Sequence, residues 1–216
     1  MRDLIAAFSG AARRRMTDAG WRARAGDIYS LELGDGFHAW LGLNRASKHV
    51  PLKINPVVGL HYDPVERLLV EFLGKPMRFS ATIARPVGYL TPSHGFLQLR
   101  VAAQVDAEPV AEELVALVND YGLPFARRHA DPDSLSAAIA AGGNVPNPDR
   151  ARLLLPALQF LQGRKEEART SVAAGLDHFP DSCAGPAAAE YHRFAAVFTA
   201  RAERTAELSW DPFVIT

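Results

Sequence analysis

The stretch GFHAWLGLNRASKHVPLKINPVVGLHYDP, Gly36–Pro64, decides the fold. Its apolar residues alternate instead of recurring at helical spacing. From Phe37 to Asn44, one side carries Phe37, Ala39, Leu41 and Leu43, and the other His38, Trp40, Gly42 and Asn44. From Leu52 to Tyr62, Leu52, Ile54, Val58, Leu60 and Tyr62 oppose Lys53, Asn55, Val57, Gly59 and His61. A period of two marks a strand with one face on a core. Two such strands in succession predict an antiparallel meander whose apolar face is covered by helices. His38, Trp40, Asn44, Lys53, Asn55 and His61 then share the opposite face for a geometric reason.

Toward the N-terminus, GDIYSLEL alternates in the same way, and GDG at Gly34–Gly36 supplies a hairpin turn. Before it, Leu4, Ile5, Phe8, Ala11, Ala12, Met16 and Ala19 recur at helical spacing, with Gly20 at the stop. The outer face of that helix is basic. Toward the C-terminus, Asp63-Pro64-Val65-Glu66 reads as a helix start, with Asp63 as N-cap and Glu66 reaching back in a capping box. Val65, Leu68, Leu69 and Phe72 form its buried stripe, and Gly74 ends it. Arg78 to Ala84 and Phe96 to Val101 are two further strand candidates, separated by the loop RPVGYLTPSHG. Strands in series without regular helical crossovers predict an α+β fold with an antiparallel sheet of about five strands.

From about residue 106 the pattern is helical throughout. An acidic helix is expected from Glu108 to Tyr121, stopped by Gly122, and a short one is opened by Asp131-Pro132. Three more follow, from Asn147-Pro148 to about Gln162, from Arg164 to His178, and from Pro186 to about Leu208. The closing SWDPFVIT is expected to dock through Trp210 and Phe213. The reading is thus a sheet domain over 1–105 and a helical region over 106–216, with GGNVPNPD at 142–149 as a boundary or hinge.

Composition limits the function classes. The 216 residues are 48% hydrophobic and 22% charged, and 24 basic residues balance 24 acidic ones. No global field draws the chain to nucleic acid or to an acidic membrane. Arg13-Arg14-Arg15 is read as a solvated helix face or a partner for the acidic helix near Glu112. The single Cys183 excludes an intramolecular disulfide and fits a reducing compartment. The N-terminus lacks a signal-peptide pattern and no apolar run has the length of a membrane span. A cytoplasmic protein is expected, and 20 Arg against 4 Lys suggests a GC-rich bacterial genome.

GRKEEARTSVAAGLDHFP, Gly163–Pro180, resembles the second half of a tetratricopeptide repeat, with Gly163 at the turn, small residues Ala168 and Gly175, and Pro180 at the end. Arg152 and Pro156 depart from the pattern of the first half, so a helical hairpin is implied and not a peptide-binding array. Residues 3–73, with Gly20-Trp21-Arg22, GDIYSLEL, HAWLGLN and LKINPVVGLHY, resemble a bacterial family of unknown function. Its members look like the small α+β proteins that accompany toxins or defence systems and act by binding. The resemblance carries no catalytic residue.

The search for chemistry is mostly negative. His61 and Asp63, with His49 nearby, have no convincing metal-ligand spacing once Asp63 is assigned to the helix cap. Asp63, Glu71 and Lys75 do not sit on adjacent strand positions as a nuclease site requires. No G-x-S-x-G and no phosphate-binding glycine motif is present. No cofactor and no metal is expected. The polar sheet face remains, with His38 and Trp40 offering flat contact area and Asn44, Arg45, Lys53, Asn55 and His61 offering directional hydrogen bonds. Either it is a binding surface or it is internal structure covered by the helical half. The expected function is a non-enzymatic module that binds a protein partner. Two alternatives stand beside it. One is a small-molecule binder or hydrolase using His38, His61 or His94 between sheet and helices. The other is a self-assembling protein that forms a homodimer through an unpaired edge strand.

Overall fold

The computed structural model describes residues 1–74, 76, 79–145 and 147–208, with side chains as far as residue 204. The expected contacts of Trp210 and Phe213, the placement of Lys75 and the start of the strand candidate at Arg78 lie outside the described residues.

Among the described residues the fold is α+β, built on one antiparallel sheet. Helix α1 (Arg2–Asp18) leads through the short β1 (Arg22–Arg24) into β2 (Ile28–Gly34), β3 (Phe37–Ala46) and β4 (Leu52–Tyr62). These four strands pair in sequence order. Helix α2 (Asp63–Leu73) follows directly. The far edge of β4 is shared by two short strands, β5 (Ile83–Pro86) on residues Val57–Leu60 and β6 (Leu99–Val101) on Leu52–Ile54. Pro56 lies in the gap between them, where β4 has no N–H to offer. The sheet therefore has six strands. Alternation does not reveal β1, which is only three residues long.

The central pattern places the core as the alternation requires. Leu41, Ile54, Val58 and Leu60 are fully buried under α1, α3 (Ala107–Leu117) and α4 (Leu123–Arg128). The basic face of α1 meets the acidic face of α3. Arg14 and Arg15 both bind Glu108, and Arg15 also reaches Glu112 at 3.6 Å. The triple arginine is thus used largely within the molecule.

Gly122 does not stop the acidic helix. A π-helical turn at Val118–Gly122 carries it straight into α4, and Gly122 has an ordinary negative φ of −71°. Its missing side chain serves packing, since a Cβ there would come within 2.6 Å of Val58 Cγ1 on β4.

The remaining helices are α5 (Pro132–Ala140), α6 (Pro148–Leu161), α7 (Lys165–His178) and α8 (Pro186–Leu208). Of these, α6 and α8 pack on α2, α5 packs on α6, and α7 packs on α6 and α8. Asp131 and Asn147 cap α5 and α6 through their side chains, as their Pro-led starts predict. Phe72 of α2 packs against Phe194 and Phe198 of α8 with ring centres 5.7 and 6.0 Å apart. Helices α6 and α7 form a hairpin about Gly163, whose φ of +76° suits glycine. Helix α6 starts beside the second face of the sheet, and that start shapes the site. Among the described residues no helix is long and apolar enough to cross a membrane.

Candidate functional site

The strand registers put the second face of the sheet in rows. Glu32, His38 and His61 form one row, and Ser30, Trp40, Gly59 and Ala84 the next. Ile28, Gly42, Val57 and Pro86 follow, then Asn44 with Asn55, and Ala46 with Lys53. Six of the seven residues proposed from the sequence, His38, Trp40, Asn44, Lys53, Asn55 and His61, therefore share this face. Arg45 does not. It faces the helix side, where it donates to Ser9 of α1 at 2.8 Å and ion-pairs with Asp27.

Two glycines shape the face. Gly42 leaves room for the Trp40 ring, whose six-membered edge lies where a Cβ at 42 would stand. Gly59 lets the segment 81–84 approach β4, because a Cβ there would run into the Ile83 carbonyl and come within 3.1 Å of Ala81. The Trp40 ring is thus laid along its own strand over Gly42 instead of standing off the sheet.

At one end, Asp63 is the hub of a polar cluster and not a helix cap. No side chain caps α2, and Asp63 is its first residue. The carboxylate accepts instead from His61 Nε2 at 3.0 Å, His38 Nε2 at 3.4 Å and Arg67 at 3.2 Å. Burial raises the Asp63 carboxyl, but the His61 and His38 hydrogen bonds and charges outweigh it and hold the group below its ordinary value. His61 is buried, and its Nδ1 lies 2.6 Å from the Ser80 carbonyl. Both ring nitrogens thus face acceptors. Phe79 lies against His61 with ring centres 4.1 Å apart, and the Arg24 guanidinium stands over the Phe79 ring, 4.6 Å from its centre.

Glu66 likewise has a different role from the capping box. It is buried, accepts from Thr82 Oγ1 at 2.9 Å and pairs with Arg150 of α6 at 2.6 and 2.8 Å. Arg150 also reaches Ser80 Oγ at 3.4 Å. Sequence reasoning missed Glu66, Thr82, Ser80 and Arg150 as site residues. Glu66 and Arg150 are 84 positions apart, and no local pattern connects them.

Between the sheet face and the start of α6 lies a cleft of about 680 Å³. Trp40, Asn44 and Val57 form its floor, Ala84 and Pro86 one wall, and Gly143, Val145 and Arg150 the other. That volume is within the range of ordinary ligand sites. Five buried side-chain polar atoms have no partner among the described residues. Trp21 Nε1 is one, in the core beside α1. The other four, Trp40 Nε1, Arg150 Nε, Asn55 Oδ1 and Asn144 Oδ1, belong to residues of the cleft or to their neighbours. Trp40 and Arg150 line it, Asn55 is the register partner of lining Asn44, and Asn144 lies between lining Gly143 and Val145. Each unmatched buried group costs about 1–3 kcal/mol, so the two in the lining make the cleft the candidate site.

The described residues contain no group of three or more His, Cys, Asp or Glu arranged to hold a metal ion. His94 lies in the loop with Tyr89, their ring centres 6.0 Å apart, and lines neither the cleft nor the Asp63 cluster. Cys183 is exposed. Compared with protein-family models, with curated proteins and with solved structures, the chain matches none.

Proposed function

We propose that the protein is a bacterial binding module, not a catalyst, and that the cleft on the second face of the sheet receives a segment of a protein partner. The observation that carries this reading is the cleft itself, whose lining includes Trp40 and Arg150, each with a buried N–H that has no partner among the described residues. The neighbouring histidines support binding over turnover. His61 has both ring nitrogens engaged inside the molecule, while His38 shares its carboxylate partner with His61 and Arg67. The resemblance of residues 3–73 to accessory proteins of toxin and defence systems, which act by binding, agrees with the proposal.

The test is affinity capture from a bacterial lysate with the wild type and with Val57→Trp, which fills the cleft from a half-buried position on its floor. A partner retained at a stoichiometric level by the wild type and lost from the variant is the expected result. Equal retention by both overturns the assignment of the site.

A further inference from the structure

Resting on the reading of the cleft as a recognition site, we propose that Gly42 is the position that sets its depth. The missing side chain keeps the Trp40 indole down on the floor, and any side chain at 42 raises the ring into the space an occupant needs. Gly42 is thus a positioning residue that acts through Trp40.

The backbone gives no reason for a glycine at this place. Gly42 lies inside β3, paired with Ile28 on one side and Val57 on the other, at a φ outside the left-handed region. Glycine in a strand interior weakens the strand and often marks a close approach. Here the approach is that of the Trp40 ring. A Cβ at 42 would stand 2.9 Å from Cζ3, 3.0 Å from Cζ2 and nearer still to Cη2, so the distal edge of the indole occupies the place of the missing side chain. At Gly59 the obstacle is the backbone of the 81–84 segment, whereas at Gly42 it is the end of one side chain. Gly42 can therefore be substituted with the fold kept.

The register decides where a displaced ring goes. Ile28, Gly42 and Val57 form one row of the second face, so the side chains of Ile28 and Val57 flank the place above Gly42. Directly opposed Cβ atoms on neighbouring strands are only about 4.5–5.5 Å apart, which leaves the ring little room to slip sideways. Its way out is off the sheet. The cleft lies on that side, with Trp40 and Val57 in its floor and Ala84 and Pro86 in its wall. Carbon atoms in ordinary contact are about 3.5–4.0 Å apart, so an added Cβ lifts the ring edge by about 1 Å or more. Side chains settle in discrete rotamers, and a ring that cannot lie down turns to stand in the cleft.

The experiment uses the full chain with ¹³C-labelled methyl groups and the neutral nitroxide TEMPOL as a probe of open space. The readout is paramagnetic broadening of the Val57 methyls on the floor and the Ala84 methyl on the wall, against the methyls of fully buried Leu41. In the wild type both cleft positions broaden well above Leu41. In Gly42→Ala the broadening at both falls by at least about twofold, as the population with the ring down shrinks, and in Gly42→Val it falls further. Trp40→Leu has no ring to raise, so adding Gly42→Ala to it leaves the broadening at the level of Trp40→Leu alone. The indole N–H signal of Trp21, buried in the core, verifies the fold in every variant. Gly42→Ala decides alone if Gly42→Val does not fold.

Broadening that is unchanged in Gly42→Ala and Gly42→Val overturns the positioning role and leaves the recognition site standing. A loss that persists in the Trp40→Leu background does the same, since position 42 would then act without the ring. Cleft methyls as protected as those of Leu41 in the wild type overturn the inference and the site together.

Discussion

Removing the Arg150 guanidinium exposes how the site is held together. Arg150→Met keeps most of the stem volume and takes the charge away from Glu66, which is buried and, among the described residues, otherwise accepts only from Thr82 Oγ1. Breaking a buried pair from one side destabilises by about 3–5 kcal/mol, because the remaining charge is left uncompensated. The Arg150 side chain retains 22% of its exposure and Glu66 only 7%, so solvent screens the pair in part. The lower end, about 3 kcal/mol, is therefore expected. For a chain of this size that lowers Tm by about 6–12 °C. Urea denaturation monitored by far-UV circular dichroism gives the free energy. The double variant Glu66→Gln/Arg150→Met isolates the coupling and is expected to recover at least about 1 kcal/mol relative to Arg150→Met alone. A loss below about 1 kcal/mol in Arg150→Met refutes the reasoning, since the pair would then behave as an exposed one.

Other perturbations separate packing from recognition. Gly59→Ala drives a Cβ into the backbone of β5 and is expected to cost about 1–3 kcal/mol in chemical denaturation. Gly42→Ala meets only the movable end of the Trp40 side chain, so its stability effect is smaller while the Trp40 emission changes. Gly175→Ala drives a Cβ into Tyr191 Oη, which donates to the Val172 carbonyl at 3.2 Å, and is expected to lower Tm. Burial pushes the Tyr191 hydroxyl up to about 12, so an ultraviolet titration of Tyr191→Phe should lose a late-ionising tyrosine. Asp63 is held below its ordinary value, so its contribution to stability is present above the unfolded carboxyl pKa of about 3.9 and is lost as pH falls through the lower folded value. Asp63→Asn removes that contribution, and its stability curve should be flatter below about pH 4 than that of the wild type.

The meander was legible because each of its residues has a role set by parity. Phe37 to Asn44 and Leu52 to Tyr62 announce their faces by alternation alone, and Gly74 and Gly163 announce helix ends by the φ they adopt. The composition of the second face followed from the same parity, which is why His38, Trp40, Asn55 and His61 are found together. Arg45 fell out of that set because its parity belongs to the helix side. Asp63 and Glu66 were misread for a different reason. Their spacing matches a capping box, but tertiary partners, two imidazoles for one and a distant guanidinium for the other, compete for the same oxygens and win. Gly122 looked like a stop because local chemistry cannot show that Val58 of β4 occupies the place of its side chain. The cleft itself depends on α6 arriving beside the sheet. No local pattern encodes that arrival.

If the proposed function holds, the second face of the sheet is an open recognition cleft and not covered core. Acrylamide quenching of Trp40, taken as the difference between wild type and Trp40→Phe, tests it most directly. The quencher is a small neutral molecule that carries an amide, and Trp40 forms part of the cleft floor. The account predicts that the Trp40 component is quenched well above that of buried Trp21 and is shielded when Val57→Trp fills the cleft. A Trp40 component as protected as Trp21 in the wild type would contradict it.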